Sequence, residues 1–88
     1  MTNNEWKLKE KNGWKNWYTW AANLWATSNE ESKYYYFRDL AQNLGLESFK
    51  YHLKDFIKNG GVTDFEPKDI EPAFENIDYK NIYEGLRE

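Results

Sequence analysis

The unusual load of aromatic side chains is what most constrains the core of this chain, because a few of them can fill a small interior. It carries five Trp, seven Tyr and five Phe in 88 residues but no cysteine, so neither disulfides nor thiolate-bound metal can supplement packing. A chain of this length buries only about 60–65% of the surface it exposes when unfolded, which allows one core and a single domain over 1–88. Each Phe, Tyr or Trp buries roughly 150–250 Å², so a few of them fill such an interior.

The strongest periodicity follows Asn12-Gly13, a turn signal. Asn16 has the position of an N-cap whose side chain accepts from the Thr19 amide. Trp17, Trp20, Ala21, Leu24 and Trp25 then fall at i, i+3, i+4, i+7 and i+8, one apolar face of a helix. Ser28 and Glu31 have capping-box spacing and predict a second helix from near Asn29, with a buried stripe of Tyr36, Phe37, Leu40, Ala41 and Leu44 and a left-handed cap at Gly45. A third helix, from near Ser48 to the terminator Asn59-Gly60-Gly61, buries Phe49, Leu53, Phe56 and Ile57. Short gaps favour antiparallel neighbours.

Residues 61–76 hold both prolines and scattered apolar side chains, and read as an irregular loop packed through Val62, Phe65, Ile70 and Phe74. Asp78 caps a last short helix, with Ile77 and Ile82 forming a hydrophobic staple and Tyr79, Ile82, Tyr83 and Leu86 facing inward. The fold expected is mainly α: three main helices, a short C-terminal one, and room for a minor two-stranded pairing of the arm 1–12 with Val62–Phe65. That arm should pack through Trp6.

Chemistry is sparse. His52 has no second histidine or cysteine with which to share zinc, and lies at the edge of an apolar stripe where a structural role suffices. Asp64, Glu66, Asp69 and Glu71 lack the loop spacing of a calcium hand. Thr19, Thr27, Ser28 and Ser48 sit at helix ends, where capping accounts for them, and no glycine-rich phosphate loop exists. The expectation is no enzyme, no metal and no cofactor. No run approaches a membrane span and Met1–Lys11 is polar, so a cytoplasmic location is expected.

What remains is binding surface. Trp6, Trp14, Tyr18, Tyr34, Tyr35 and Tyr51 fall off the stripes, and exposed Tyr and Trp are enriched at protein interfaces. Charge is uneven: residues 1–58 hold nine Lys or Arg against seven Asp or Glu, net +2, whereas 59–88 hold three against eight, net −5. The acidic third adds Asp64, Glu66, Asp69 and Glu71 as candidate partner contacts.

The segment Asn12-Gly13-Trp14-Lys15-Asn16-Trp17-Tyr18-Thr19-Trp20, followed by Leu24-Trp25 and Ser28-Asn29-Glu30-Glu31, resembles the opening motif of a family of small uncharacterised bacteriophage proteins. The shared pattern is N-G-aromatic-x-N-aromatic-x-T-W, then L-W and an acidic cluster; the last helix matches weakly and the middle of the chain does not. The resemblance implies a phage accessory protein acting in the host cytoplasm, and supplies no activity. The leading expectation is a non-catalytic module that binds a host protein or defence complex as an inhibitor or modulator. Two alternatives are single-stranded nucleic-acid binding through the N-terminal Lys7, Lys9, Lys11 and Lys15 with Trp6, Trp14 or Tyr18, and nucleic-acid mimicry by the acidic third. A homodimer would use the same exposed aromatics.

Overall fold

The computed structural model describes residues 5–27 and 31–88. Its α-helices are α1 (Trp17–Thr27), α2 (Glu31–Asn43), α3 (Leu46–Lys58), α4 (Ile70–Asn76) and α5 (Tyr79–Arg87), with 3₁₀ turns at Glu5–Leu8 and Pro67–Asp69. The fold is mainly α. Ser28 and the side chain of Glu31, which carry the expected capping box, lie outside the described residues.

The entry to α1 follows local rules. Asn12 and Gly13 take φ of 51° and 90°, and Lys11 and Trp14 exchange backbone bonds of 3.0 and 2.8 Å across them. Positive φ at both central residues is the signature of a type I′ hairpin turn, for which Asn-Gly is the preferred pair. Asn16 Oδ1 then accepts from the Thr19 amide at 2.9 Å, as an N-cap does.

The buried face of α1 differs from the indole stripe read from the sequence. Tyr18, Thr19, Ala21, Ala22 and Ala26 are buried, while Trp17, Trp20 and Trp25 lie half-buried along the flanks and Leu24 is likewise only partly covered. The helix touches α2, α4 and α5 together. Three neighbours approach one helix closely only where its side chains are small, which selects the alanine face and moves the indoles to its edges.

A polar corner fixes α1 against the end of the chain. Thr19 Oγ1 donates to Asn16 Oδ1 at 2.9 Å and accepts from the Asp78 amide at 2.9 Å, and Asn16 Nδ2 donates to the Asn76 carbonyl at 2.7 Å. Asn16 and Thr19 thereby satisfy backbone groups at the junction of α4 and α5. Asp78 caps α5, its Oδ1 accepting from the Asn81 amide at 3.1 Å. Tyr79, Ile82 and Leu86 are buried, as expected for α5. Burial pushes the Tyr79 hydroxyl up to about 12, and that hydroxyl donates to the Phe74 carbonyl at 3.1 Å.

Helix α2 buries Phe37 and Ala41, with Tyr34 and Leu40 at the margins, and leaves Tyr36 exposed instead of placing it in the stripe. Gly45 is no left-handed cap. It is extended (φ −74°, ψ 168°) and serves as N-cap of α3, which therefore begins at Leu46 and not near Ser48. The terminal carbonyls of α2 are met from outside: Tyr83 donates to Leu44 O at 2.8 Å and Arg87 to Ala41 O at 3.0 Å. Side chains of α5 do the work that a glycine cap would otherwise do. In keeping with this, α2 packs most extensively on α5 and α1, and less on α3.

Residues 61–76 are more ordered than an irregular loop. Pro67 starts a 3₁₀ turn whose capping box joins Glu66 to Asp69, and α4 follows directly, burying Ala73. Proline fits a first helical position because the amide it lacks has no intrahelical partner there. No strand forms among the described residues, so the expected arm pairing is absent: the arm enters as a 3₁₀ turn. It is anchored by Lys7, which donates to Asp69 Oδ1 at 2.8 Å with both side chains buried, while Lys7 Nζ stands 4.9 Å from the Trp17 ring centroid. Asp69 Oδ2 also accepts from the Glu66 amide at 3.0 Å. Burial raises the Asp69 pKa, but the Lys7 hydrogen bond, the Glu66 amide and the charges of Lys7 and Lys68 outweigh it and hold the carboxyl below its ordinary value.

Candidate functional site

Tyr18 is 4% exposed, within the core, so it offers no contact surface. Its ring packs against Trp17 at 5.4 Å and Phe65 at 6.0 Å. Trp14 and Tyr34 are half-buried and pack against the core. Three of the six off-stripe aromatics are truly exposed: Trp6 (53%), Tyr35 (54%) and Tyr51 (69%). Of these, Trp6 meets Trp17 edge-on at 5.3 Å beside the buried Lys7. The arm is anchored by that lysine more than by the indole.

The acidic candidates divide in the same way. Asp69 is buried in its ion pair and is structural. Asp64 is exposed but accepts from Trp25 Nε1 at 2.8 Å, clamping the segment after α3 to α1. Glu66 stands 3.8 Å from Lys68, and Glu71 is exposed on α4. The four do not form a single acidic row. Among the described residues no three His, Asp or Glu side chains lie close enough to hold a metal ion, and no helix is long and apolar enough to cross a membrane.

The structure instead gathers an unanticipated surface on the outer faces of α2 and α3. A shallow groove of 510 Å³ is lined by Tyr35, Tyr36, Arg38, Asp39 and Gln42. A second, of 360 Å³, shares Tyr36 and continues over His52, Asp55, Phe56 and Asn59 to Gly60 and Gly61. A third, of 260 Å³, shares Asp55 and runs on past Tyr51, Lys54 and Lys58 to Phe74. The three form a band in which neighbouring grooves share one residue each, Tyr36 and then Asp55.

Local rules position its parts. Tyr36 is one residue from the buried Phe37 and hence about 100° around α2 from it, which turns it outward. Its ring still rests edge-on against Phe37 at 5.1 Å. On α3, Tyr51, His52 and Asp55 flank the buried Phe49, Leu53 and Ile57, and Tyr51 meets His52 at 5.5 Å. The α3 helix ends where Gly60 takes φ of 87°. Gly61 is needed for space: any Cβ there would collide with the Phe56 ring.

The sequence stripe Tyr36, Phe37, Leu40, Ala41 and Leu44 places Tyr36 inward, and Asp55 has no local signal to set it apart from other surface carboxylates. Centring the stripe on Phe37 and Ala41, with Tyr34 three residues before Phe37, would have turned Tyr36 out. No family model, curated protein or solved structure matches the chain. Residues 12–20, which resemble the phage motif, have physical roles of their own: Asn12 and Gly13 turn the chain, while Asn16 and Thr19 hold the polar corner.

Proposed function

We propose that this chain is a non-catalytic protein-binding module, a phage-encoded inhibitor or modulator of a host protein, acting in the host cytoplasm through the outer face of α2 and α3. One observation carries the reading. Tyr35, Tyr36 and Tyr51 are each more than half exposed on a band of three shallow grooves, although the same fold buries Tyr18 and Tyr79 almost completely. Tyrosine brings a large, rigid contact area at little entropic cost, and shallow grooves that mix tyrosine with polar side chains suit a protein surface better than a reacting small molecule. The phage origin rests on the resemblance over residues 12–31.

The nucleic-acid readings have fewer groups to draw on. Lys7 and Asp69 neutralise each other in the interior, and Lys11 lies 4.8 Å over the Trp20 ring. A photo-crosslinking amino acid placed at Tyr35, Tyr51 or, as a comparison on the arm, Leu8 tests the assignment in lysate of a bacterial host. The expected result is one shared adduct from positions 35 and 51 and none from position 8. Adducts from position 8 alone, or from no position, contradict it.

A further inference from the structure

Helices α2 and α3 repeat one another. Residues 35–45 and 51–61 align sixteen positions apart: Tyr35 with Tyr51, Asp39 with Asp55, Asn43 with Asn59 and Gly45 with Gly61 are identical, and Arg38 with Lys54 keeps the charge. The fold uses the matched residues alike. Phe37 and Leu53 are buried, as are Ala41 and Ile57 one turn on, while Tyr35 and Tyr51 are exposed. Asp39 and Asp55 stand exposed, and the side-chain amides of Asn43 and Asn59 donate back to their backbone carbonyls at 2.8 and 2.9 Å.

The grooves show how the two copies are related. The first is walled by Tyr35, Arg38, Asp39 and Gln42, at i, i+3, i+4 and i+7 of α2, and the third by the matching Tyr51, Lys54, Asp55 and Lys58 of α3. Between them, the middle groove brings together Tyr36 and His52, which are also a matched pair. Each stands one residue before a buried core residue, so both are turned the same way around their helices, and Arg38 and Lys54, one residue after, are turned the opposite way. Helices related by translation would set the Tyr36 side of one against the Lys54 side of the other. Like sides meet here instead. That is the relation of a two-fold axis, which runs through the middle groove with one stripe on either side of it.

Like surfaces take like ligands. A partner that fills both stripes offers one element twice, across a two-fold axis of its own. Homodimers have that symmetry, whereas repeats stacked along one chain follow one another by a small rotation and a translation. Duplex nucleic acid has local two-fold axes too, but Asp39 and Asp55 occupy matched places and would face its phosphates.

We propose that α2 and α3 form two matched half-sites, and that the protein partner is a symmetric homodimer straddled at its two-fold axis by one copy of this chain. This deepens the binding-module reading and rests on it. Each partner subunit lays the same segment on one stripe, with an apolar side chain against the tyrosine, an acidic group at Arg38 or Lys54 and a basic one at Asp39 or Asp55.

The test uses the full chain with a benzophenone side chain at position 35 or at position 51, irradiated in lysate of a bacterial host, and maps the partner peptide that each position labels. Both positions should label the same peptide of the same protein, and the complex eluted with tagged wild-type chain should have the native mass of one chain to two identical subunits. Asp39→Asn and Asp55→Asn, both at exposed positions, should each weaken that complex by a similar factor, about tenfold. Different peptides from the two positions, a complex with a single partner subunit, or a tenfold loss from one substitution with none from the other would overturn the symmetric partner and leave the binding module standing. Absence of any adduct from both positions would remove the module and this inference with it.

Discussion

Trp17 and Tyr51 are both large aromatic residues on amphipathic helices, yet the fold treats them differently. The Trp17 ring has Trp6, Tyr18 and Phe65 within 5.3–5.4 Å, whereas the aromatic neighbour of Tyr51 is His52 on its own helix. The indoles of α1 flank a helix surrounded by α2, α4 and α5, and each covers an edge of the core. The exposed tyrosines of α2 and α3 look outward from surfaces that no element among the described residues covers. Aromatic content alone does not separate packing from recognition; the side of the helix on which each ring stands does.

Substitutions on the two sides should therefore behave as two classes. The largest loss is expected for Phe49→Ala, which removes a fully buried ring set against Phe37 at 6.4 Å and Tyr83 at 5.4 Å. It should lower unfolding free energy in urea by about 3–5 kcal/mol. A loss below about 1 kcal/mol would mean that α3 is not packed as described.

Lys7→Met should cost about 3 kcal/mol, because it strands the buried Asp69 carboxylate. The same pair sets an acid limit. Its partners depress the Asp69 pKa in the folded state, so the stability it contributes is complete above the unfolded value of about 3.9 and is lost as pH falls through the lower folded value. Urea midpoints measured down that range should fall steeply for wild type and less steeply for Lys7→Met. Parallel curves would remove the pair from the account.

Thr19→Val keeps the shape of the side chain but deprives the Asp78 amide of its acceptor and Asn16 of a donor. A cost of about 1–3 kcal/mol follows from leaving buried polar groups unpaired, again read by urea unfolding. At the bottom of the scale, Tyr35→Ser and Tyr51→Ser should each change stability by no more than about 0.5 kcal/mol.

Much of the helical framework was legible because its signals are local. Asn12-Gly13, Asn16 with Thr19, and Asp78 with Asn81 act over two to three residues, and the structure uses them as the spacing predicts. The departures come from distant partners. Gly45 lost its capping role because Tyr83 and Arg87, nearly half the chain away, reach the end of α2. Lys7 stands in the sequence only as one of four N-terminal lysines suited to a phosphate backbone, because nothing near it announces Asp69. The alanine face of α1 was hidden by the bulkier residues beside it. As for the site, Tyr35 and Tyr51 were identifiable as off-stripe residues, but Tyr36 and Asp55 join them only once α2 and α3 lie side by side with Phe37 and Ala41 turned inward.

The central claim is that the α2–α3 tyrosines serve binding and not folding, and one triple variant, Tyr35→Ser with Tyr36→Ser and Tyr51→Ser, tests it most directly. Its thermal unfolding and its crosslinking to the host partner from an unsubstituted position in the band, Gln42, would be measured together. The account predicts a cooperative transition within about 8 °C of wild type, as a change near 1 kcal/mol implies for a domain of this size, and loss of the adduct. A non-cooperative or strongly lowered transition, or an adduct formed as well as by wild type, would contradict it.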